Sequence, residues 1–120
     1  MSRHLATAVL TIGNGLTKSS SIQDYWGGNP GKVGMDAAVS ITIKAPAALT
    51  AVVTVQIAQT NPALDADFVN YQEVPGTDLV IAAGKAITIR ALAAKDLRLI
   101  SAGAEGAARD FYVSLQEDIG

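Results

Sequence analysis

A glycine-rich stretch, WGGNPGKVG, spans residues 26–34 and contains a Gly-Lys pair of the kind that contacts phosphate groups. A nucleotide-binding P-loop has the pattern Gly, four residues, then Gly-Lys-Ser/Thr, followed by a helix. Here Trp26 stands in place of the first glycine, and Val33 replaces the hydroxyl residue that would hold magnesium. The strand-like segment DAAVSITIK follows where the helix would begin. The stretch is therefore predicted to be a surface loop, and no cofactor is expected.

The aromatic pair Tyr25-Trp26 stands directly before this loop. Trp and Tyr concentrate at the hot spots of protein interfaces, so the pair could bury itself in a partner. It could equally form a platform for a sugar, or close one end of the hydrophobic core, which is the commonest place for large aromatic residues. The sequence leaves these three interpretations open. The candidate partner-contact residues are Tyr25, Trp26, Asn29, Pro30 and Lys32.

Residues for acid-base, nucleophilic or metal chemistry are few. The chain has no cysteine, and its single histidine, His4, lies near the N-terminus, so a Ser-His-Asp arrangement would need that end fixed in a pocket. Asp65 and Asp67 in NPALDADF could both contact a calcium ion, but the further oxygen donors and the final Glu of an EF-hand loop are missing. We therefore predict no catalytic and no metal-binding residue, and we expect that the protein is not an enzyme.

Composition limits the partners. Charged residues make up 17% of the 120 residues, against roughly 25% in average soluble proteins, and the net charge is -2. Small, weakly charged surfaces suit close packing against another surface, although an alanine-rich composition can also reflect a GC-rich genome. The basic residues are scattered singly, so no nucleic-acid partner is expected.

Membrane signals are weak in this sequence. No apolar run approaches the roughly 20 residues of a membrane span. The apolar run from Leu5 to Leu10 is interrupted by Thr7 and is shorter than the core of a signal peptide. We expect no membrane partner, and a protein that is made and used without crossing a membrane.

Alternation of apolar and polar residues dominates the chain. It is clearest in the segments DAAVSITIK, TAVVTVQIAQ, KAITIRAL and DLRLIS, where β-branched residues favour strands over helices. Weaker strands are predicted in ATAVLTI, SIQDYW, FVNYQEV and DLVIA. The C-terminal segment 108–118 fits both a helical and an alternating period, and its Phe-Tyr-Val run favours a closing strand.

Glycine, proline and asparagine clusters separate these segments, as turns do. Eight or nine short strands with this punctuation predict an all-β, single-domain antiparallel β-sandwich. Within that one domain, residues 1–35 form an N-terminal strand plus the glycine-rich loop, which is a candidate interaction arm. Residues 36–120 form the body of the sandwich.

The order of the segments carries a family resemblance. The runs ALTAVVTVQIAQTNPALDADFVNYQEV, PGTDLVIAAGKAITIRAL, DLRLISAG and FYVSLQED resemble the capsid cement, or decoration, proteins of tailed bacteriophages. The shared pattern is an apolar strand ending in Gln-Thr, an Asp-rich loop followed by an aromatic residue, a Gly-centred turn before an Ile-rich strand, then Leu-Arg-Leu. It covers about residues 36–117, and the N-terminal third departs from it.

The resemblance implies a jelly-roll fold and a structural role in the virion. Such a protein is made in the host cytoplasm, binds the outer surface of the phage head and bridges subunits of the major capsid protein. It implies a homo-oligomer, either a dimer or a trimer. Residues 1–34 are the candidate arm that attaches it to the shell.

Two other functions are compatible with the sequence. A carbohydrate-binding β-sandwich would use Tyr25, Trp26 or Tyr71 to stack against sugar rings, although such modules typically expose more aromatic residues than this chain contains. Another structural protein of the phage head or tail would share the weakly charged surface of small residues.

Overall fold

The computed structural model describes residues 2–25, 40–60, 63–90 and 94–118. These residues form eight strands, one short α-helix and a 3-10 turn at Asp65–Asp67. In chain order the strands and the helix are β1 (Ser2–Ile12), α1 (Ile22–Tyr25), β2 (Ser40–Lys44), β3 (Val53–Ala58), β4 (Val69–Asn70), β5 (Val80–Ile81), β6 (Ala86–Arg90), β7 (Asp96–Ser101) and β8 (Arg109–Asp118).

The strands form two antiparallel sheets. Sheet A has the order β1-β8-β2-β6. In sheet B the central strand is β3, with β7 along one edge and the two-residue strands β4 and β5 along the other. A short segment, residues 17–19, pairs with the outer edge of β7: the Ser19 N–H donates to the Leu99 carbonyl at 2.9 Å, and the Ser101 N–H donates to the Thr17 carbonyl at 2.6 Å.

This arrangement has jelly-roll connectivity. The chain runs from β1 in sheet A to residues 17–19 in sheet B, back to β2 in sheet A, then through β3, β4 and β5 in sheet B. It returns to sheet A with β6, to sheet B with β7, and closes with β8 between β1 and β2. Strands that alternate between two packed sheets in this way form a jelly roll. The predicted all-β antiparallel sandwich with a jelly-roll-like order is confirmed.

Alternation along the strands builds the core. Inward-facing side chains from both sheets are buried and pack together, while their neighbours in sequence face outward. Each fully buried aliphatic or aromatic side chain stabilises the fold by about 1.5–3 kcal/mol. The core residues contributed by the main strands are Leu10, Ile12, Ile41, Ile43, Val53, Val55, Ile89, Leu97, Leu99, Phe111, Val113 and Leu115.

The C-terminal segment is a strand, as its aromatic and β-branched residues indicated. β8 pairs with β1 along one edge and with β2 along the other. Only an extended chain can satisfy two neighbouring strands at once, so sheet pairing decides between the two periods that the sequence allows.

One predicted strand is wrong. SIQDYW begins with a helical turn, α1, because the Ser21 hydroxyl accepts the Asp24 N–H at 3.1 Å and the Ser21 carbonyl accepts the Tyr25 N–H at 2.9 Å. A serine at this position caps the first turn of a helix. This local bonding prevails over a weak alternation of apolar residues.

FVNYQEV and DLVIA contribute only the two-residue strands β4 and β5, because the chain between them leaves the sheet as a hairpin. At its base the Leu79 N–H donates to the Tyr71 carbonyl at 2.9 Å. At its tip Val74 and Thr77 form a bridge around Pro75 and Gly76. Gly76 has a φ of 85°, a conformation that glycine adopts without strain.

The N-terminal strand belongs to the sandwich. β1 pairs with β8 along its length, and Leu10, Ile12 and Ile22 are fully buried. The described part of the predicted segment 1–35 therefore contributes to the core. Residues 26–35, which include the glycine-rich stretch of the candidate arm, lie outside the described residues.

A buried carboxylate fixes one end of the sandwich. Glu105 lies between β7 and β8, and its side chain accepts hydrogen bonds from the Thr50 N–H at 2.8 Å, Arg109 Nε at 2.9 Å and the Ser101 hydroxyl at 3.0 Å. Its backbone N–H donates to the Leu16 carbonyl at 3.1 Å. One residue thus joins the approach to β3, the end of β7, the start of β8 and the loop after β1.

Burial raises the pKa of the Glu105 carboxyl, but the hydrogen bonds from Thr50, Arg109 and Ser101 outweigh it and lower the pKa from 4.5 to about 2. A carboxyl whose pKa is lowered by folding stabilises the protein above its unfolded pKa. That stabilisation is lost as the pH falls towards the folded value.

We predict that Glu105→Gln lowers the free energy of unfolding by about 3 kcal/mol at neutral pH, because it removes a buried charge that Arg109 pairs with. The difference from the wild type should shrink as the pH falls from about 5 to 2, where the wild-type carboxyl gains its proton. Urea unfolding of both proteins at a series of pH values measures this difference in the free energy of unfolding. A difference that stays constant over this range would contradict the assignment.

Candidate functional site

Tyr25 is the one predicted contact residue that lies within the described part of the chain. It ends α1, and about half of its side chain is exposed. Trp26, Asn29, Pro30 and Lys32 follow it and lie outside the described residues. Their role as partner contacts therefore stays a prediction.

A buried aspartate in β7 anchors α1 and so positions Tyr25. Asp96 Oδ1 accepts the Gln23 N–H at 3.1 Å and the Leu97 N–H at 2.8 Å. The Gln23 side chain in turn donates to the Lys95 carbonyl at 3.2 Å. Burial raises the pKa of Asp96, and the hydrogen bonds from Gln23, Ser21 and Leu97 offset part of that rise. The turn before the glycine-rich loop is thus docked on sheet B.

The outer face of sheet A carries a row of small hydroxyl residues. Cross-strand pairing places Thr7 opposite Ser114, Ser114 opposite Thr42, and Thr42 opposite Thr88. This hydroxyl row crosses all four strands, which lie about 4.8 Å apart. The hydroxyls of Thr42 and Thr88 are 3.0 Å apart. Small side chains along this row let a partner surface approach the sheet closely.

A second row runs beside the hydroxyl row. It consists of Val9, Tyr112, Lys44 and Ala86, again in cross-strand register. Tyr112 is 61% exposed, so a large aromatic ring stands on the outer face of sheet A. Alternation along β8 directs Tyr112 outward, but only the cross-strand register, which the sequence does not contain, places it beside the hydroxyl row.

The outer face of sheet B is charged and uneven. Arg98 Nε donates to Gln56 at 2.8 Å, Nη1 donates to Asp65 at 2.7 Å, and the guanidinium lies 4.3 Å from the centre of the Phe68 ring. Lys18 Nζ also contacts Asp65, at 2.9 Å. Hydrogen bonds from Lys18 and Arg98 lower the pKa of the Asp65 carboxyl. The 3-10 turn therefore covers this face and holds an ionic cluster on it.

The two aspartates considered as calcium ligands bind groups of their own chain. Asp65 contacts Lys18 and Arg98, whereas Asp67 Oδ2 accepts the Leu64 N–H at 2.8 Å and the Thr60 hydroxyl at 3.1 Å. Among the described residues, no group of three or more acidic or histidine side chains is placed to hold a metal ion. In the same part of the chain, no helix has the length and hydropathy of a membrane span.

No protein-family model, curated protein sequence or solved structure matches this chain.

We predict that Asp96→Ala weakens the docking of α1 and lowers the free energy of unfolding by about 2 kcal/mol, since two backbone N–H groups lose their acceptor. Asp96→Asn is the matched control, because it keeps an acceptor oxygen and should cost less than about 1 kcal/mol. Urea unfolding gives the stability, and hydrogen exchange at the Gln23 amide gives the local effect. If both variants lose equal stability, the charge of Asp96 and not its acceptor oxygen holds α1.

Proposed function

We propose that this protein is a structural protein of a phage virion. In this role it is a capsid cement, or decoration, protein that binds the outer surface of the head and bridges subunits of the major capsid protein. The proposal extends the sequence resemblance. The observation that carries it is the row of small, uncharged hydroxyl side chains across the outer face of sheet A, since such side chains let a partner surface approach the sheet closely.

A row of small polar residues suits contact with a large partner surface. Thr42 and Ser114 lie at its centre. Of the charged side chains on this face, Arg90 lies on the edge strand β6 and Asp110 near the start of β8, while Lys44 ends β2 opposite Tyr112. Central contacts without charges avoid the large cost of desolvating ions, and interface cores are accordingly depleted of charged residues. Tyr112 adds an aromatic anchor of the type that dominates binding energies.

The jelly roll also suits the mechanical task. Long-range pairing of β1 with β8 ties the first and the last described strands together in sheet A. A rigid body that contacts several capsid subunits at once turns modest individual contacts into strong attachment, because each later contact forms at high effective concentration. The shell is thereby held against the pressure of the packaged DNA.

Sheet B is the less suitable face for this contact. Its ionic cluster of Lys18, Asp65 and Arg98 would have to be desolvated against the shell, at a cost that an isolated contact does not repay. The 3-10 turn also raises its surface locally. We therefore place the shell against sheet A.

The proposal is tested by binding the purified protein to phage heads that lack it, made from the genome that encodes this chain. We predict that Thr42→Arg weakens binding at least tenfold, since it puts a long charged side chain at the centre of the hydroxyl row. Thr54→Arg is the matched control on the outer face of sheet B and should bind within about twofold of the wild type. Co-sedimentation with heads measures both.

Two outcomes would overturn the proposal. If the wild-type protein ignores the heads but is retained on a glycan array, and Tyr112→Ala abolishes that retention, the protein is a carbohydrate-binding module. If it binds phage tails or head-completion complexes but not the shell, it is another structural protein of the virion. Equal loss of head binding in Thr42→Arg and Thr54→Arg would reject the choice of face.

A further inference from the structure

The edges of the two sheets differ in how they are protected against strand pairing. Unprotected edge strands pair with other chains, and proteins block them with bulges, very short strands, charges or proline. Along β1 the register shifts between His4 and Ala6. In sheet B one edge consists of β4 and β5, with two residues each, and the other consists of residues 17–19. A register shift in β1 and very short strands at both edges of sheet B therefore limit strand pairing with another chain at these three edges.

The remaining edge, β6, carries one charged residue, Arg90 at its end, and within the described residues it has neither a bulge nor a proline. All five residues from Ala86 to Arg90 pair with β2 without a register shift, and the strand contains no proline. In an antiparallel pair, alternate residues direct their N–H and C=O groups to one side and the others to the opposite side. β6 therefore presents backbone donors and acceptors at the edge away from β2.

We propose that β6 pairs with β6 of a second copy of this chain, antiparallel and about a two-fold axis at Thr88. This register places Thr88 opposite Thr88, Ile87 opposite Ile89 and Ala86 opposite Arg90. Apolar residues then meet on the inner face, and no like charges face each other. Ile87 is partly buried at the rim of the core, and the second strand would cover it further. The strand is thus complementary to itself.

The dimer joins two copies of sheet A into one eight-stranded sheet. The hydroxyl row continues across the two-fold axis from Thr42 and Thr88 of one copy to the same residues of the other. A contact of one short strand per copy lies at the low end of interface sizes, so we expect a dissociation constant of about 10–100 µM. The pairing stands on the geometry of β6 and does not require a role in the virion.

Cysteine cross-linking tests the register. Because the sequence contains no cysteine, each single-cysteine variant can form a disulfide only at the introduced position. Directly opposed residues in an antiparallel pair have Cα atoms about 4.5–5.5 Å apart, which a disulfide spans. We predict that Thr88→Cys forms a covalent dimer on mild oxidation at concentrations near the dissociation constant. Thr7→Cys, in the same row at the opposite edge of sheet A, is the matched control and should cross-link at least tenfold more slowly. Equal rates would overturn the proposal.

A charge pair tests the same contact without oxidation. In sedimentation velocity the wild type should change from monomer to dimer with rising concentration, and Thr88→Lys should remain monomeric because two lysines would face each other. Thr88→Glu on its own should also remain monomeric, because two carboxylates would face each other. A mixture of Thr88→Lys and Thr88→Glu should form a heterodimer, because opposite charges then face each other. Thr7→Lys should behave as the wild type. A wild type that stays monomeric up to millimolar concentration, or a mixture that stays monomeric, would overturn the pairing.

Discussion

The fold depends on one contact, the packing of the inner face of sheet A against the inner face of sheet B. Each main strand supplies alternate residues to this contact, from Ile41 and Ile43 in β2 to Phe111 and Leu115 in β8. Because the side chains of a strand alternate between its two faces, the same constraint directs every other residue outward. The outer face of sheet A and the outer face of sheet B are therefore free to differ, and they do. The outer face of sheet A carries a row of hydroxyl residues, and the outer face of sheet B carries an ionic cluster.

Two buried carboxylates fix the segments that hydrophobic packing leaves undetermined. Glu105 ties loops together at one end of the sandwich, and Asp96 holds α1 against β7. Their pKa values move in opposite directions. The hydrogen bonds to Glu105 include one from a charged arginine and outweigh its burial, whereas Asp96 accepts its bonds from uncharged groups and burial prevails. Both residues act through backbone N–H groups that would otherwise lack an acceptor.

Alternation predicts the core of this protein well and its surface only in part. The strands β2, β3, β6 and β7 follow from β-branched residues at period two, because that pattern can bury only one face of a strand. Alternation wrongly predicts a strand at the helical turn after Ser21, because a single capping hydrogen bond from the Asp24 N–H to the Ser21 hydroxyl favours the helix there. The burial of Glu105 has no signal in the sequence AGAEGAARD. It depends on Thr50 before β3, Ser101 at the end of β7 and Arg109 at the start of β8 meeting at one point. The hydroxyl row likewise requires the register between four strands, which local sequence does not encode.

The proposed attachment requires that the outer face of sheet A meets the capsid. Electron cryomicroscopy of phage heads incubated with the protein measures this directly. We expect density for the protein on the outer shell, with Thr42 and Tyr112 facing the capsid subunits and the Lys18–Asp65–Arg98 cluster facing solvent. Density in which the ionic cluster faces the shell, or heads that carry no added density at saturating protein, would contradict it.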